Sequence, residues 1–299
     1  MNIISKQLIF LFVAGITVAG YANPLVSWYR KPAGQIYYTV ESPAEFDSDE
    51  FAEGDKSPTV TLQQFSAIAG APLILKEEYM VVSGINIEVN DFKFNDIENV
   101  DLTTYSISVP FVTAYKINDD FILMANISLG VYSDFKKITL DDFKFSWFGI
   151  CQYNVGDSVE LYGGVAYNRS FGKDILYPLV GLNWKINDSW YLGLVLPRPF
   201  IAYKASESLL LYAGLGPAGG EWNVENPLDS EDEENYNFFF SGYRVGCGVE
   251  YDINKHITMY LNVGSTMLRD YEIENDDRTL LDTEVDNTFI GTVGFAIFP

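Results

Sequence analysis

Tyr105-Ser106-Ile107-Ser108-Val109-Pro110-Phe111-Val112-Thr113-Ala114-Tyr115-Lys116-Ile117 is the stretch whose reading decides the fold. Its odd positions are Tyr, Ile, Val, Phe, Thr, Tyr and Ile; its even positions are Ser, Ser, Pro, Val, Ala and Lys. Successive side chains of a β-strand point to opposite faces, so this period of two writes a strand with one apolar face and one small, more polar face. Asn118-Asp119 follows as a tight turn. The next segment resumes the pattern with Phe121, Leu123, Ala125, Ile127, Leu129 and Val131 opposite Asn126, Ser128 and Gly130.

The alternation recurs along the chain. Val159, Leu161, Gly163, Val165 and Tyr167 oppose Glu160, Tyr162, Gly164, Ala166 and Asn168. Val180, Leu182, Trp184 and Ile186 oppose Gly181, Asn183 and Lys185. Tyr243, Val245, Cys247, Val249 and Tyr251 oppose Gly242, Arg244, Gly246, Gly248 and Glu250, and Ile257, Met259, Leu261 and Val263 oppose Thr258, Tyr260, Asn262 and Gly264. Strand length separates a soluble sandwich from a membrane barrel. Soluble strands average about five or six residues, whereas a tilted membrane-spanning strand needs about 9–11. The segments 105–117, 121–132, 238–253 and 256–268 meet the longer requirement.

The connections alternate too. Asn118-Asp119, Gly156-Asp157, Asn187-Asp188 and Asn254-Lys255 read as hairpin turns. Between them the segments 90–101, 133–142, 226–235 and 270–286 read as longer acidic loops. Short turns at one end and long loops at the other are the asymmetry of an outer-membrane barrel, the long loops facing outside. The expected fold is an all-β, antiparallel, up-and-down transmembrane barrel of about 12–14 strands. Two segments decide the count: Gln35–Glu41, and Phe200–Lys204 after Pro197 and Pro199, since a Pro pair does not sit within a regular ladder.

Composition agrees. Of 299 residues, 15% are aromatic, including 20 Tyr and 5 Trp, rings that suit both strands and a membrane–water interface. Lys6, the apolar run Leu8–Val18 and Gly20-Tyr21-Ala22 read as a signal peptide over residues 1–22, with cleavage after Ala22. The run is too short for a spanning helix, and no later stretch reaches the roughly 18 apolar residues that one requires. Residues 23–56 form a mixed N-terminal segment with a candidate first strand and an acidic loop, and 57–299 the barrel domain. The net charge of −22 repels nucleic acid, which excludes that partner. Cys151 and Cys247 could pair in an oxidising compartment, or, since both fall on apolar faces, stand as small unpaired hydrophobes, the preferred reading.

Tyr177-Pro178-Leu179-Val180-Gly181-Leu182-Asn183-Trp184-Lys185-Ile186-Asn187, then Trp190-Tyr191-Leu192, Leu196-Pro197 and Leu211-Tyr212-Ala213-Gly214, carry a resemblance. Together they resemble a family of bacterial outer-membrane β-barrel proteins known only as a domain of unknown function. The resemblance covers most of the mature chain and implies the fold, with no substrate or catalytic residue to carry over. One departure is at the C-terminus. Barrels of this kind end on an aromatic residue, while Phe298-Pro299 places the aromatic one position early and on the other parity of the last strand.

The chemistry-bearing residues are sparse. The single histidine, His256, lies at a tight turn on the expected periplasmic side, away from the outer leaflet where a lipid-modifying hydrolase would work. The chain is therefore read as no enzyme, a lipid-modifying outer-membrane hydrolase or a soluble periplasmic β-protein being the lesser readings. One His and two distant Cys make no zinc site, and no cofactor is expected. Asp229-Ser230-Glu231-Asp232-Glu233-Glu234 reads as a solvated external loop, with divalent cations and lipopolysaccharide as its expected contacts. Glu88, Lys116, Glu160, Lys185, Arg244 and Glu250 fall on the inward parity and are the candidate lumen-lining residues. A charge facing lipid costs about 2–4 kcal/mol at the midplane for Arg or Lys, so these should face the lumen. There they would line a path for small solutes, or pair across the lumen and close it. The two functional readings are accordingly a passive channel or transporter for small solutes, and a structural or surface-interaction barrel with a closed lumen.

Overall fold

A computed structural model describes residues 32–46, 58–95, 101–225, 235–275 and 279–299. The expected signal peptide, most of the acidic loop ending at Lys56 and the acidic run 229–234 lie outside the described residues. The strands are β1 (Gly34–Glu41), β2 (Ala44–Glu45), β3 (Thr59–Leu75), β4 (Tyr79–Asn95), β5 (Asp101–Lys116), β6 (Phe121–Ser133), β7 (Phe143–Val155), β8 (Val159–Phe171) and β9 (Lys173–Lys185). They continue as β10 (Trp190–Gly193), β11 (Phe200–Lys204), β12 (Leu209–Pro217), β13 (Gly220–Glu225), β14 (Asn235–Asn254), β15 (Ile257–Glu274), β16 (Thr279–Val285) and β17 (Phe289–Ile297).

Three pairs are single staves with a break. β1 and β2 both pair with β3, β12 and β13 with β14, and β16 and β17 with β15. The result is a closed antiparallel barrel of 14 staves. β1 pairs with β17 from Gly34↔Ile297 to Glu41↔Ile290 and closes it. Both segments that decided the count are strands, β1 and β11.

The sequence alternation becomes an inside and an outside. On β6, Ile127 and Leu129 are 55% and 56% exposed, while Asn126 and Ser128 are 5% and 6%. Apolar side chains are exposed around the whole circumference, from Ile36 and Phe65 through Phe111, Leu161 and Val180 to Leu261 and Val293. In water such a continuous belt would be strongly unfavourable; against lipid it is the solvated face. Cys151 and Cys247 are free and belong to this outward parity. With Cys151 and Cys247 replaced by Ala, a cysteine at Ile127 is expected to react with a lipid-phase maleimide, and one at Asn126 to stay unlabelled; equal labelling would refute the register.

The short turns share one chemistry. Asn118 Oδ1 accepts from the N–H groups of Asp120 and Phe121, Asn187 Oδ1 from Ser189 and Trp190, and Asn254 Oδ1 from His256 and Ile257. Each asparagine holds the turn that a backbone group would otherwise close. The ends of β1 and β17 at Gly34 and Ile297 lie at this same end, which is the periplasmic one. Phe298 is buried there, facing inward, and its N–H donates to the His256 carbonyl.

Two segments expected as loops are largely strand. Residues 90–95 complete β4, and 270–274 and 279–285 form a hairpin of β15 and β16. The reason on β4 is physical: the period of two continues there with its polarity inverted. Along β4 the inward face runs Asn86, Glu88, Asn90 and then Phe92, Phe94, while the outward face runs Ile87, Val89 and then Asp91, Lys93. On β15 the facing itself changes: a bulge at Leu268 (φ 52°) turns the odd positions inward, so Tyr271 and Ile273 are buried and Asp270, Glu272 and Glu274 face outward. The staves therefore rise out of the apolar belt into a hydrated collar whose outside is charged and whose inside is apolar.

Candidate functional site: the filled lumen

The inside of the barrel is stacked in three layers. The periplasmic third is apolar, built from Tyr37, Met80, Val82, Val112, Met124 and Tyr260 with their neighbours. The outer third is an aromatic core around Phe92, Trp222, Phe238, Phe240 and Tyr271. Between them lies a polar layer of charged, amide and hydroxyl side chains.

Charges in the polar layer are held by ion pairs and hydrogen bonds within the lumen. Glu41 of β1 accepts from Arg244 of β14 at 2.9 Å and from Arg269 of β15 at 2.8 Å, and its side chain is 1% exposed. Arg269 also donates to the Tyr271 hydroxyl at 2.7 Å, and Arg244 reaches Gln64 Oε1 at 3.4 Å. Glu88 accepts from Asn90 Nδ2 at 3.1 Å and Ser66 Oγ at 3.4 Å. At low dielectric an unpaired charge here would cost several kcal/mol, so the pairing is what lets this layer exist.

Strand β13 is buried along nearly its whole length, on both faces, which no strand of the wall is. After Pro217 the stave turns inward at 218–219 and crosses the mouth of the barrel. It stays paired with β14, Trp222 opposite Phe238, and reaches β6 on the far side at Asn223↔Ser133. The crossing depends on glycine: a Cβ on Gly219 would meet the Phe240 carbonyl at 2.7 Å and the Gly172 nitrogen at 2.6 Å. Trp222 is 1% exposed, stacks on Phe240 and Phe238 at 6.1 and 6.0 Å, and donates from Nε1 to Ser106 Oγ at 2.9 Å. Glu221 is held by Lys144 and by Arg169, the latter at 3.1 Å. The far end docks on the 133–142 segment, where Asp134 N–H donates to the Asn223 carbonyl and Glu225 N–H to Asp134 Oδ2.

Where β12 leaves the wall, the second edge of β9 beyond Val180 has no ladder partner among the described residues. Rings of Phe171, Tyr177 and Tyr243 close the gap, at 5.2 and 6.1 Å from Phe171. Two small cavities flank the crossing. One, of about 70 Å³, lies between β13 and the inner faces of β4 to β8. The other, of about 60 Å³, lies beside Arg198, Tyr212 and Arg244.

The six charged candidates divide by height. Glu88, Arg244 and Glu250 are in the barrel interior, and Glu160 is held there by Tyr162 and Asn183. Lys116 and Lys185 instead sit at the periplasmic rim, paired with the turn residues Asp119 and Asp188 at 2.6 and 2.8 Å. Lys185 holds the Asp188 carboxyl below the usual carboxylate range. Glu41, Arg269, Glu221 and Trp222 were missing from the sequence-derived set. Glu41 carried a usable signal, since it lies on the inward parity of β1; Arg269 did not, since a bulge at Leu268 turns the odd positions of β15 inward beyond it. Trp222 did not: a strand inside a barrel has no period of its own.

Residues 79–283 match the family described as "Domain of unknown function (DUF6268)". The chain belongs to this family. No curated protein matches it. Among solved structures it resembles an outer membrane channel from Pseudomonas putida F1, at 10% identity over 89% of this chain and 94% of that one, with a TM-score of 0.47. It also resembles a FadL homologue of Pseudomonas aeruginosa, at 9% identity over 92% and 94%, with a TM-score of 0.47. The translocator domain of the autotransporter NalP from Neisseria meningitidis aligns at 12% identity over 98% and 93%, with a TM-score of 0.42. The closed barrel, its apolar belt and the short turns gathered at one end make this DUF6268 member an outer-membrane β-barrel protein.

Proposed function

We propose that this DUF6268 protein is a gated outer-membrane passage for small solutes, closed at rest by strand β13. The observation that carries the reading is a buried strand lying across a lumen whose wall is polar. Asn86, Ser106, Ser108, Asn126, Ser128 and Ser146 face inward from four consecutive staves, and they leave a cavity rather than packing against one another. A barrel that only had to be stable would gain by filling that space with apolar side chains. β13 is attached to the opposite wall mainly through side-chain contacts at Glu221, Trp222 and Asn223 and the Asp134 contacts at its far end, so it has fewer bonds to break there than the continuous ladder of a wall strand.

Small solutes are the class that such a passage would admit. Locking β13 tests the reading. In a Glu221→Ala protein, whose β13 is released from Lys144 and Arg169, with Cys151 and Cys247 replaced by Ala, Ser133→Cys combined with Asn223→Cys would tie β13 to β6. Solute flux into proteoliposomes is expected to be abolished when the pair is oxidised and restored on reduction. Flux that is the same in both states would remove β13 as the gate. Absence of flux in both states, with the barrel inserted, would favour the closed structural barrel.

A further inference from the structure

The cavity between β13 and the wall has a chemistry of its own. It is lined by amides, hydroxyls and Trp222, and the Asn126 Oδ1 atom lies buried in its wall with no hydrogen-bond partner among the described residues. A buried acceptor left unsatisfied costs about 1–3 kcal/mol, so this position calls for a donor from within the cavity. Its charged neighbours are already engaged: Glu88 with Ser66 and Asn90, Glu221 with Lys144 and Arg169. The groups left to meet a guest are neutral, and several of them, the serine hydroxyls, both donate and accept.

We infer that this cavity is a binding site for a neutral polyhydroxylated molecule of about the size of glycerol. Size sets the limit. At about 10–15 Å³ for each water-sized occupant, 70 Å³ holds roughly five to seven, a range that includes the heavy-atom number of a three-carbon polyol. Charge sets the class: an anion would meet Glu88 and Glu221, and a cation would compete with Arg169 and Lys144 for Glu221. Trp222 and Pro110 offer apolar surface for C–H groups while Asn126 and the serines take hydroxyls. The site deepens the gated-passage reading, on which it rests for its role, and names the solute class; its occupancy is measured without any transport.

The test is thermal unfolding of the detergent-solubilised full-length protein titrated with glycerol, with sucrose as an excluded-osmolyte control. Osmolytes stabilise folded proteins without saturating, so a site shows as a saturable rise. Wild type is expected to show that rise with glycerol and only a linear one with sucrose. Asn126→Leu, which fills the cavity and removes the orphan acceptor, should weaken the saturable component at least tenfold. Ser128→Val tests the same wall should Asn126→Leu fail to fold. A wild type with no saturable response holds water only and overturns the site, while the cross-linking result for β13 stands separately. A saturable response retained in both variants would also overturn it, since the ligand would then bind elsewhere.

Discussion

Glu41→Ala is expected to lower the stability of the folded barrel by about 3–5 kcal/mol, among the largest effects of any single substitution in the lumen. The carboxylate is almost fully buried and bonds two guanidinium groups, one from each of two neighbouring staves. Removing it leaves two positive charges facing each other in a space of low dielectric. Glu41→Gln keeps the shape and part of the hydrogen bonding but loses the charge, and should fall between wild type and Ala. The midpoint of urea unfolding of the refolded protein, followed by heat-modified gel mobility, measures both. Combining Glu41→Ala with Arg269→Met should recover part of the loss, because one of the uncompensated charges leaves with its partner. An Ala variant as stable as wild type would mean that water reaches this layer freely.

Trp222→Ala combines a stability effect with a functional one. Loss of a buried tryptophan side chain costs about 3–5 kcal/mol. The ring is stacked on two phenylalanines and stands edge-on to a third, Phe92, at 6.2 Å, so the loss should lie toward the upper end. The space it vacates is continuous with the cavity beneath β13, which Trp222 lines. The variant should therefore conduct where wild type is silent. Trp222→Phe, which keeps an aromatic plate but loses the hydrogen bond to Ser106, should be intermediate in stability and stay closed.

The wall of this barrel is legible from its sequence and the contents of its lumen are not. A wall strand repeats one rule, outward apolar and inward small or polar, and segments such as 105–117 and 121–132 state it without interruption. The turns are equally plain, because a single asparagine side chain closes each of three of them. The rule fails in two places for a common reason. At Asp91–Phe94 and Asp270–Ile273 the solvent outside changes from lipid to water and the outward positions become charged: on β4 the alternation continues with its polarity inverted, while on β15 a bulge at Leu268 exchanges the two faces. Acidic residues there suggest a loop to a reader who expects outward positions to stay apolar. In β13 both faces are buried, so the alternation carries no information, and only the glycine pair at 219–220 marks the place where the chain leaves the wall. The charged residues followed the same division. Parity identified Glu88, Arg244 and Glu250 as interior, yet height along the stave, which parity cannot give, separated them from Lys116 and Lys185 at the rim.

Single-channel recording in a planar bilayer tests the central claim, that β13 closes the lumen at rest. Wild-type protein, shown to be inserted by its resistance to extraction, is expected to give a flat baseline. Glu221→Ala, which releases β13 from Lys144 and Arg169, should give brief openings. Steady, salt-dependent steps from wild type, unchanged in Glu221→Ala, would contradict the claim and show a lumen that is open past β13.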